Sequence, residues 1–467
     1  MSKVLFLEIN EVPYRLIDQY INHKDFSNIK KLFQNSWTFT SIAVDDGELS
    51  PWITWPTVHR GMDSSQHGVK NLGQDVKTFQ GSTIWEDLRK QGYSVGVFGA
   101  LQSWPPKDPG SHGFYIPDTF AHDEQCIPTY VEPLQKFNLG QVRSNGKTVK
   151  SNIPPVKDVI NFLLQSFRCG IRLSTIFKIV EQVISERFNS ELKARRPIFQ
   201  TIIFWDVYMS LLKKSNGKLK YSSFFTNHVA SAMHRYWHHI FPQDFGKSEK
   251  GLHESTILYS LKTLDNMLAD VFSLADKNDD LVLVFGSSMG QDAVHNPDHH
   301  GKQLAVDSVD KLLLSMNILP NSYQKLLAMV PQVAISVEDG KLLKEIEQLI
   351  SNFGYQSGVK SFSTDMVGKT LSITIKTPSH SDVEDAKLYL GNKSFSFEEC
   401  GVKIHAAEAL SGYHIPEGIL AFYNANLSKQ NKAQKRKSIN ADKIKSVLTK
   451  LVETDDVRQL KHVLSEI

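Results

Sequence analysis

The stretch Lys3-Val4-Leu5-Phe6-Leu7-Glu8-Ile9 decides the fold. A short, almost wholly apolar run suits a strand buried on both faces, whereas a half-exposed strand would alternate. Outward from it, Pro13 to Asn22 reads as a helix. Ser82 to Gln91 is a capped amphipathic helix ended by Gly92-Tyr93, and Ser94 to Gly99 (SVGVFG) is the next buried strand. Ile198 to Phe204, Ser222 to Phe225 and Asp280 to Phe285 read as further central strands. Apolar strands alternating with helices predict an α/β fold, a doubly wound, mostly parallel sheet flanked by helices.

Two segments interrupt the alternation. Lys157 to Leu192 is a run of amphipathic helix whose apolar stripe is expected to pack on the core rather than lie on a membrane surface. Val330 to Ile404 contains VAISV, a helix LLKEIEQLI, LSITI, a helix DVEDAKLYL and the start of VKIHA, a small α+β insertion. Lys429 to Lys437 (KQNKAQKRK) reads as a solvated basic linker, with a closing helix from about Asn440. The expected division is therefore 1–150 for the N-terminal part of the core and 151–195 for a helical insertion. The core continues over 196–325, the α+β insertion takes 326–405, and 406–467 holds the core return, the linker and the C-terminal helix.

The chain has 467 residues, 41% of them hydrophobic, ample for a large core. Its 53 basic and 50 acidic residues leave a net charge of +3, which is no electrostatic footprint for nucleic acid. Cys126, Cys169 and Cys400 are widely spaced and make no disulfide framework, which suits a reducing compartment. The first residues carry no basic segment followed by a long apolar run, so no signal peptide is expected. No apolar stretch reaches the roughly 20 residues of a membrane span. The expectation is a soluble cytoplasmic protein.

Candidate chemistry gathers where strands end, since parallel α/β sheets form their sites beyond the carboxyl ends of the strands. Ser50-Pro51-Trp52-Ile53-Thr54-Trp55-Pro56-Thr57-Val58-His59-Arg60-Gly61 has the form of a turn into a helix that presents one side-chain oxygen. Thr54 at that turn would attack or anchor a phosphate or sulfate group, or serve only as a helix N-cap. Glu8, Asn10 and Glu11 follow the first strand, and Asp45-Asp46-Gly47-Glu48 the second. Asn227 and His228 follow the strand ending at Phe225, with Ser231 and His234 on the next helix. Gly286 to Gln291 follow Phe285, and His295, His299 and His300 come next. Gly412-Tyr413-His414 precedes Gly418 near the end. Carboxylates, carboxamides and histidines of this kind include the ligand types for divalent cations.

This set, in this order, resembles the alkaline phosphatase superfamily, particularly its type I phosphodiesterase/nucleotide pyrophosphatase and phosphoglycerate-mutase-like branches. Thr54-Trp55-Pro56 is similar to the family's nucleophile followed by an aromatic and proline. Gly412-Tyr413-His414 with Gly418 resembles its late Gly-x-His…Gly segment, and Ser438 to Leu448 resembles its closing helix. The resemblance implies a phospho- or sulfo-ester site. The chain departs from the pattern at the metal ligands. Asn10 stands where the family has its first metal-binding Asp. Where the family has an Asp and His four apart, the chain offers Asn227 and Ser231, or Ala230 and His234. Ser288-Met289 stands where the family has Asp-His. Neutral carboxamides and a thioether do not hold two divalent cations, so the two-metal mechanism is not expected.

Three readings follow. In the first, Glu8, Glu11 or Glu48 and His228, His234, His295, His299 or His300 replace the missing ligands around one zinc or manganese ion, or act as acid and base. The second is a metal-free transferase using Thr54 and a histidine base. The third is a catalytically silent protein binding a glycan, nucleotide or protein partner. The reading adopted is an enzyme acting on a phosphodiester or a sugar- or nucleotide-linked phosphate, with Thr54 as nucleophile or anion anchor and His414 as ligand or acid/base. The Glu-Ile-Asn-Glu start resembles bacterial relatives linked to surface polysaccharide assembly. Thr54, Asn10 and His414 are expected to share one cleft.

Overall fold

The computed structural model describes residues 3–144, 167–294, 302–326, 328, 332–377, 387–406, 411–428, 436–454 and 457–467. Six strands of its largest sheet are β1 (Val4–Ile9), β2 (Trp37–Ile42), β3 (Ser94–Phe98), β4 (Phe114–Ile116), β5 (Leu219–Thr226) and β6 (Val282–Gly286). With Glu417–Tyr423 and Lys437–Asn440 they make an eight-stranded sheet in the order Lys437–Asn440, β2, Glu417–Tyr423, β6, β1, β5, β3, β4. Glu417–Tyr423 runs antiparallel to β2 and β6, and every other pairing is parallel. The protein is thus an α/β fold with a mostly parallel central sheet flanked by helices.

β1 is buried along its whole length, as its unbroken apolar run requires. The helices Tyr14–Tyr20, Arg196–Lys214, His228–Ile240 and Glu254–Ala275 pack on one face of the sheet. Pro51–Arg60, Ile84–Lys90 and Ile444–Glu453 pack on the other. Glu86 ties down the start of Ile84–Lys90 by accepting from the Thr83 amide at 2.7 Å and its hydroxyl at 2.8 Å. A third core lies between Leu304 and Val402. It holds the helix Gly340–Ser351 and a four-stranded antiparallel sheet ordered Phe362–Val367, Thr370–Ile375, Gln332–Ser336, Gln324–Leu326.

Three local expectations are corrected. Ile198 to Phe204 is not a strand but part of the helix Arg196–Lys214. Buried Ile198, Thr201, Trp205, Tyr208 and Leu211 recur at helical spacing, and Pro197 sits in the first turn, where a missing N–H costs nothing. Leu388–Leu390, read as the end of a helix, is a strand paired with Lys393–Phe395 across a turn in which Gly391 has φ 59°. The rest of that predicted helix lies outside the described residues. Lys437–Asn440 is an edge strand on β2, so the closing helix starts later, at Ile444. Most of the basic linker also falls outside the described residues.

Candidate functional site

β1 ends level with its neighbours, with Glu8 opposite Phe225 and Gly286, and Ile9 opposite Thr226. Residues following these strands therefore meet at one edge of the sheet. Asn10 is buried there, and its amide makes three contacts. Its Nδ2 donates to Glu11 Oε1 at 2.6 Å and to Asn227 Oδ1 at 2.7 Å, while its Oδ1 accepts from the Trp55 indole at 2.8 Å.

Glu11 is the centre of the arrangement. It adopts φ 57°, in the left-handed region that residues with a Cβ rarely enter. A non-glycine residue held there costs on the order of 1 kcal/mol, and such strain gathers at functional positions. The turn delivers the carboxylate to Asn10, Gln291, His234 and His414. His234 Nε2 lies 2.8 Å and His414 Nε2 3.3 Å from Glu11 Oε2, and Gln291 Nε2 donates to the same oxygen. Glu11 is 2% exposed. Burial pushes its pKa up, but the charge of His234 and hydrogen bonds from His234 and His414 outweigh it and hold the carboxyl well below the usual range. Burial pulls His234 down, and the Glu11 charge together with the Gly412 carbonyl raises it above its ordinary value.

The far nitrogens of both rings are pinned by backbone carbonyls. His234 Nδ1 is 2.9 Å from Gly412 O, and His414 Nδ1 is 2.7 Å from Leu49 O. A carbonyl can only accept, so each Nδ1 carries a proton, and each ring turns its Nε2 edge towards Glu11. One atom each from Glu11, His234 and His414 lies within 4.8 Å of the others, the spacing of a three-ligand cation site. A second protein group orienting each metal-facing histidine is also what metal sites require. The donor set of one carboxylate and two imidazoles fits one zinc-like or manganese-like ion. Among the described residues a second ion has no comparable donors here: Asn10 and Asn227 are neutral and bonded to each other.

Other predicted residues are placed elsewhere. Glu8 meets His59 at 3.2 Å on the helix Pro51–Arg60, with both groups fully buried. His228 is a satisfied core histidine. Its Nε2 donates to Ser260 O at 3.1 Å, leaving Nδ1 to accept from Thr226 at 2.8 Å, and it does not reach the Glu11 cluster. His295, His299 and His300 lie outside the described residues. His67 is buried between Thr57 at 3.0 Å and the Val69 amide at 3.0 Å.

Thr54 does not stand at the helix start. Ser50 is the N-cap, Pro51 opens the helix, and the Thr54 amide already donates to Ser50 O at 3.0 Å. The Thr54 side chain is 0% exposed and its hydroxyl pairs with Ser288 at 2.7 Å. Asn10 and His414 converge through Glu11, while Thr54 bonds Ser288 and its neighbour Trp55 donates to Asn10. From sequence, neither Trp55 nor Gln291, the last residue of the Gly286 to Gln291 run, was assigned a role at the site. Both supply N–H donors to the cluster, and the position of Gln291 just beyond β6 was the one available signal.

No protein-family profile matches the chain, and no curated protein matches it. Among solved structures, the chain is similar to murine ectonucleotide pyrophosphatase/phosphodiesterase 5, with 11% identity over 97% of this chain and 96% of that one at a TM-score of 0.40. The human form gives 10% identity over 98% and 96% at 0.40. Phosphonoacetate hydrolase from Sinorhizobium meliloti 1021, in complex with phosphonoformate, gives 12% over 96% and 95% at 0.42.

Proposed function

We propose that this chain is a hydrolase of phosphate esters built on a single divalent cation held by Glu11, His234 and His414. The observation that carries the reading is the pinning of both Nδ1 atoms, which brings two Nε2 atoms and one carboxylate oxygen together at a single point. A zinc or manganese ion there would polarise a phosphoryl oxygen and acidify a bound water. Asn10 and Gln291 hold the Glu11 carboxylate in place from either side, and Trp55 fixes Asn10. The His234 and His414 side chains are 21% and 10% exposed, so the site opens to solvent on their side. Tyr413 stacks on His414 at 4.6 Å and donates to Glu48, forming a rim that suits a sugar- or nucleotide-linked phosphate or another phosphodiester.

The burial of Thr54 and its bond to Ser288 take it out of the nucleophile's role, so an activated water is the attacking group in this proposal. The same burial favours a second reading, a protein that binds a phosphorylated ligand without turning it over. Plasma mass spectrometry after dialysis against dilute zinc and manganese, followed by turnover of bis(4-nitrophenyl) phosphate, tests both. About one ion per chain that His414→Ala removes, with ion-dependent turnover, supports the hydrolase. The ion without turnover favours the binding protein, and no ion overturns the proposed centre.

A further inference from the structure

The helix Leu173–Phe188 is amphipathic in the reverse sense to a core helix. Its polar side faces the protein. Thr175, Gln182 and Glu186 are buried at 3%, 8% and 7% exposure. Thr175 donates to Asp206 at 2.6 Å, Gln182 to Leu192 O at 2.7 Å, and Glu186 holds Arg196 through contacts of 2.6 to 3.1 Å. The helix start is anchored by the Arg172 amide, which donates to Asp206 at 2.9 Å. Positions 175, 182 and 186 fall on one side at 100° per residue.

The opposite side carries Leu173, Phe177, Val180, Ile184 and Phe188, spaced four, three, four and four residues apart. Their exposures are 60%, 70%, 50%, 52% and 88%, with Val183 beside them at 50% and Phe167 just upstream at 50%. A stripe of this length, about 24 Å at 1.5 Å per residue, is not scattered surface apolarity. Core packing, expected from the sequence, does not account for it, because polar contacts already fasten the helix to the protein.

Charge indicates what covers the stripe. Residues 167–196 contain seven Lys or Arg against three Glu, of which Arg172 pairs with Asp206 and Asp270 and Arg196 with Glu186. Arg168, Lys178, Arg187 and Lys193 are exposed around the helix. An anionic lipid surface meets both the apolar stripe and the cations around it. Among the described residues no helix is long and apolar enough to cross a membrane. We propose that this helix lies in the plane of an anionic bilayer surface, with Phe177 and Phe188 inserted and the surrounding Lys and Arg at the headgroups. The inference is independent of the cation site.

The test is co-sedimentation of the full chain with vesicles of phosphatidylcholine alone and with 30 mol% phosphatidylglycerol. The expected result is binding to the anionic vesicles, weakened by 0.5 M salt, and at least tenfold weaker partition for the double variant Phe177→Asp/Phe188→Asp. Both positions are exposed, so the variant should keep the wild-type circular dichroism spectrum. Should it misfold, the lipid and salt dependence of the wild-type chain decides alone. Vesicle binding that ignores phosphatidylglycerol overturns the proposal. So does a concentration-dependent dimer, detected by light scattering and abolished by the double variant, in a chain that ignores vesicles. A monomer that ignores vesicles overturns it as well.

Discussion

Replacing Glu11 by glutamine separates a cation centre from an ordinary buried ion pair. In the ion-free chain Glu11 faces His234 at 2.8 Å and His414 at 3.3 Å, and takes hydrogen bonds from Asn10 and Gln291. Glutamine keeps the shape and one acceptor oxygen but turns the other into a donor. That donor meets the amide of Asn10 or Gln291 head-on, or a neutral His234 that accepts from it. The ion-free chain is therefore expected to lose about 1–3 kcal/mol, the range for a disturbed buried hydrogen bond. The ion-bound chain loses more. At a concentration a hundred times its dissociation constant, an ion that binds only the folded chain stabilises it by about 2.7 kcal/mol. At about 2 °C per kcal/mol for a chain of this size, zinc or manganese should raise the wild-type melting temperature by about 5 °C. Glu11→Gln removes the one anionic ligand, so its ion-bound minus ion-free difference should fall to about zero. Differential scanning calorimetry with and without ion measures this difference within each protein, which cancels the variant's own stability loss. A Glu11→Gln chain that retains the full 5 °C rise would falsify the assignment of the ion to Glu11, His234 and His414.

Three further outcomes follow from the same geometry. Thr54→Val should cost about 1–3 kcal/mol in urea unfolding, because it strands the buried Ser288 hydroxyl, while Thr54→Ser keeps the bond; retained phosphoester turnover in the folded valine variant confirms that Thr54 is not the nucleophile, and its loss there refutes that conclusion. Gly290 pairs with Ile415, next to His414, and a Cβ at Gly290 would come within 2.2 Å of the Glu417 carbonyl. Gly290→Ala should therefore weaken ion binding at least tenfold without touching a ligand, which isothermal titration reads directly; unchanged affinity would mean that this hairpin does not set the position of His414. Burial holds His228 down at about 4 from an ordinary 6.5, a gap worth about 3 kcal/mol. The unfolded chain takes up that proton first, so the stability is fully present above 6.5 and drains away as pH falls towards 4. Urea midpoints between pH 7.5 and 4.5 should fall accordingly, less steeply in a folded His228→Gln chain, and parallel profiles for the two proteins would contradict the burial argument.

How much of this was legible in the sequence depends on how local each signal is. β1 and β6 announce themselves as unbroken apolar runs, because a strand covered on both faces has nothing polar to offer water. Ile198 to Phe204 carries the same signal and is a helix, since a short apolar run does not reveal its period. The extension to Leu211 and the placing of Pro197 distinguish the two, and neither lies within the run. At the site, sequence order brought Asn10, Glu11, Asn227 and His414 to the correct edge of the sheet. It could not choose between His228 and His234, six residues apart, because that choice depends on which side of one helix meets Glu11. The contributions of the Leu49 and Gly412 carbonyls are invisible to any reading of side-chain types, yet they place a proton on Nδ1 of each ring and so orient it. The apolar stripe from Leu173 to Phe188 was plain in the sequence. Its direction was not, because inward polar contacts with Asp206, Leu192 and Arg196 reverse the usual rule.

The position of β2 has a consequence for the order in which this protein can be made. Its two neighbours in the sheet are Glu417–Tyr423 and Lys437–Asn440, both from the last part of the chain. On the ribosome, Trp37–Ile42 emerges long before either partner exists and must wait with both edges open. His414 arrives with the same late segment, so the cation centre and the closed sheet are completed together, near the end of synthesis. Loop closure over such distances is slow, and open strand edges are where nascent chains associate wrongly. This protein should accordingly depend on holding factors during translation more than its size alone would suggest, and fragments that stop short of residue 417 should accumulate as aggregates rather than as folded domains.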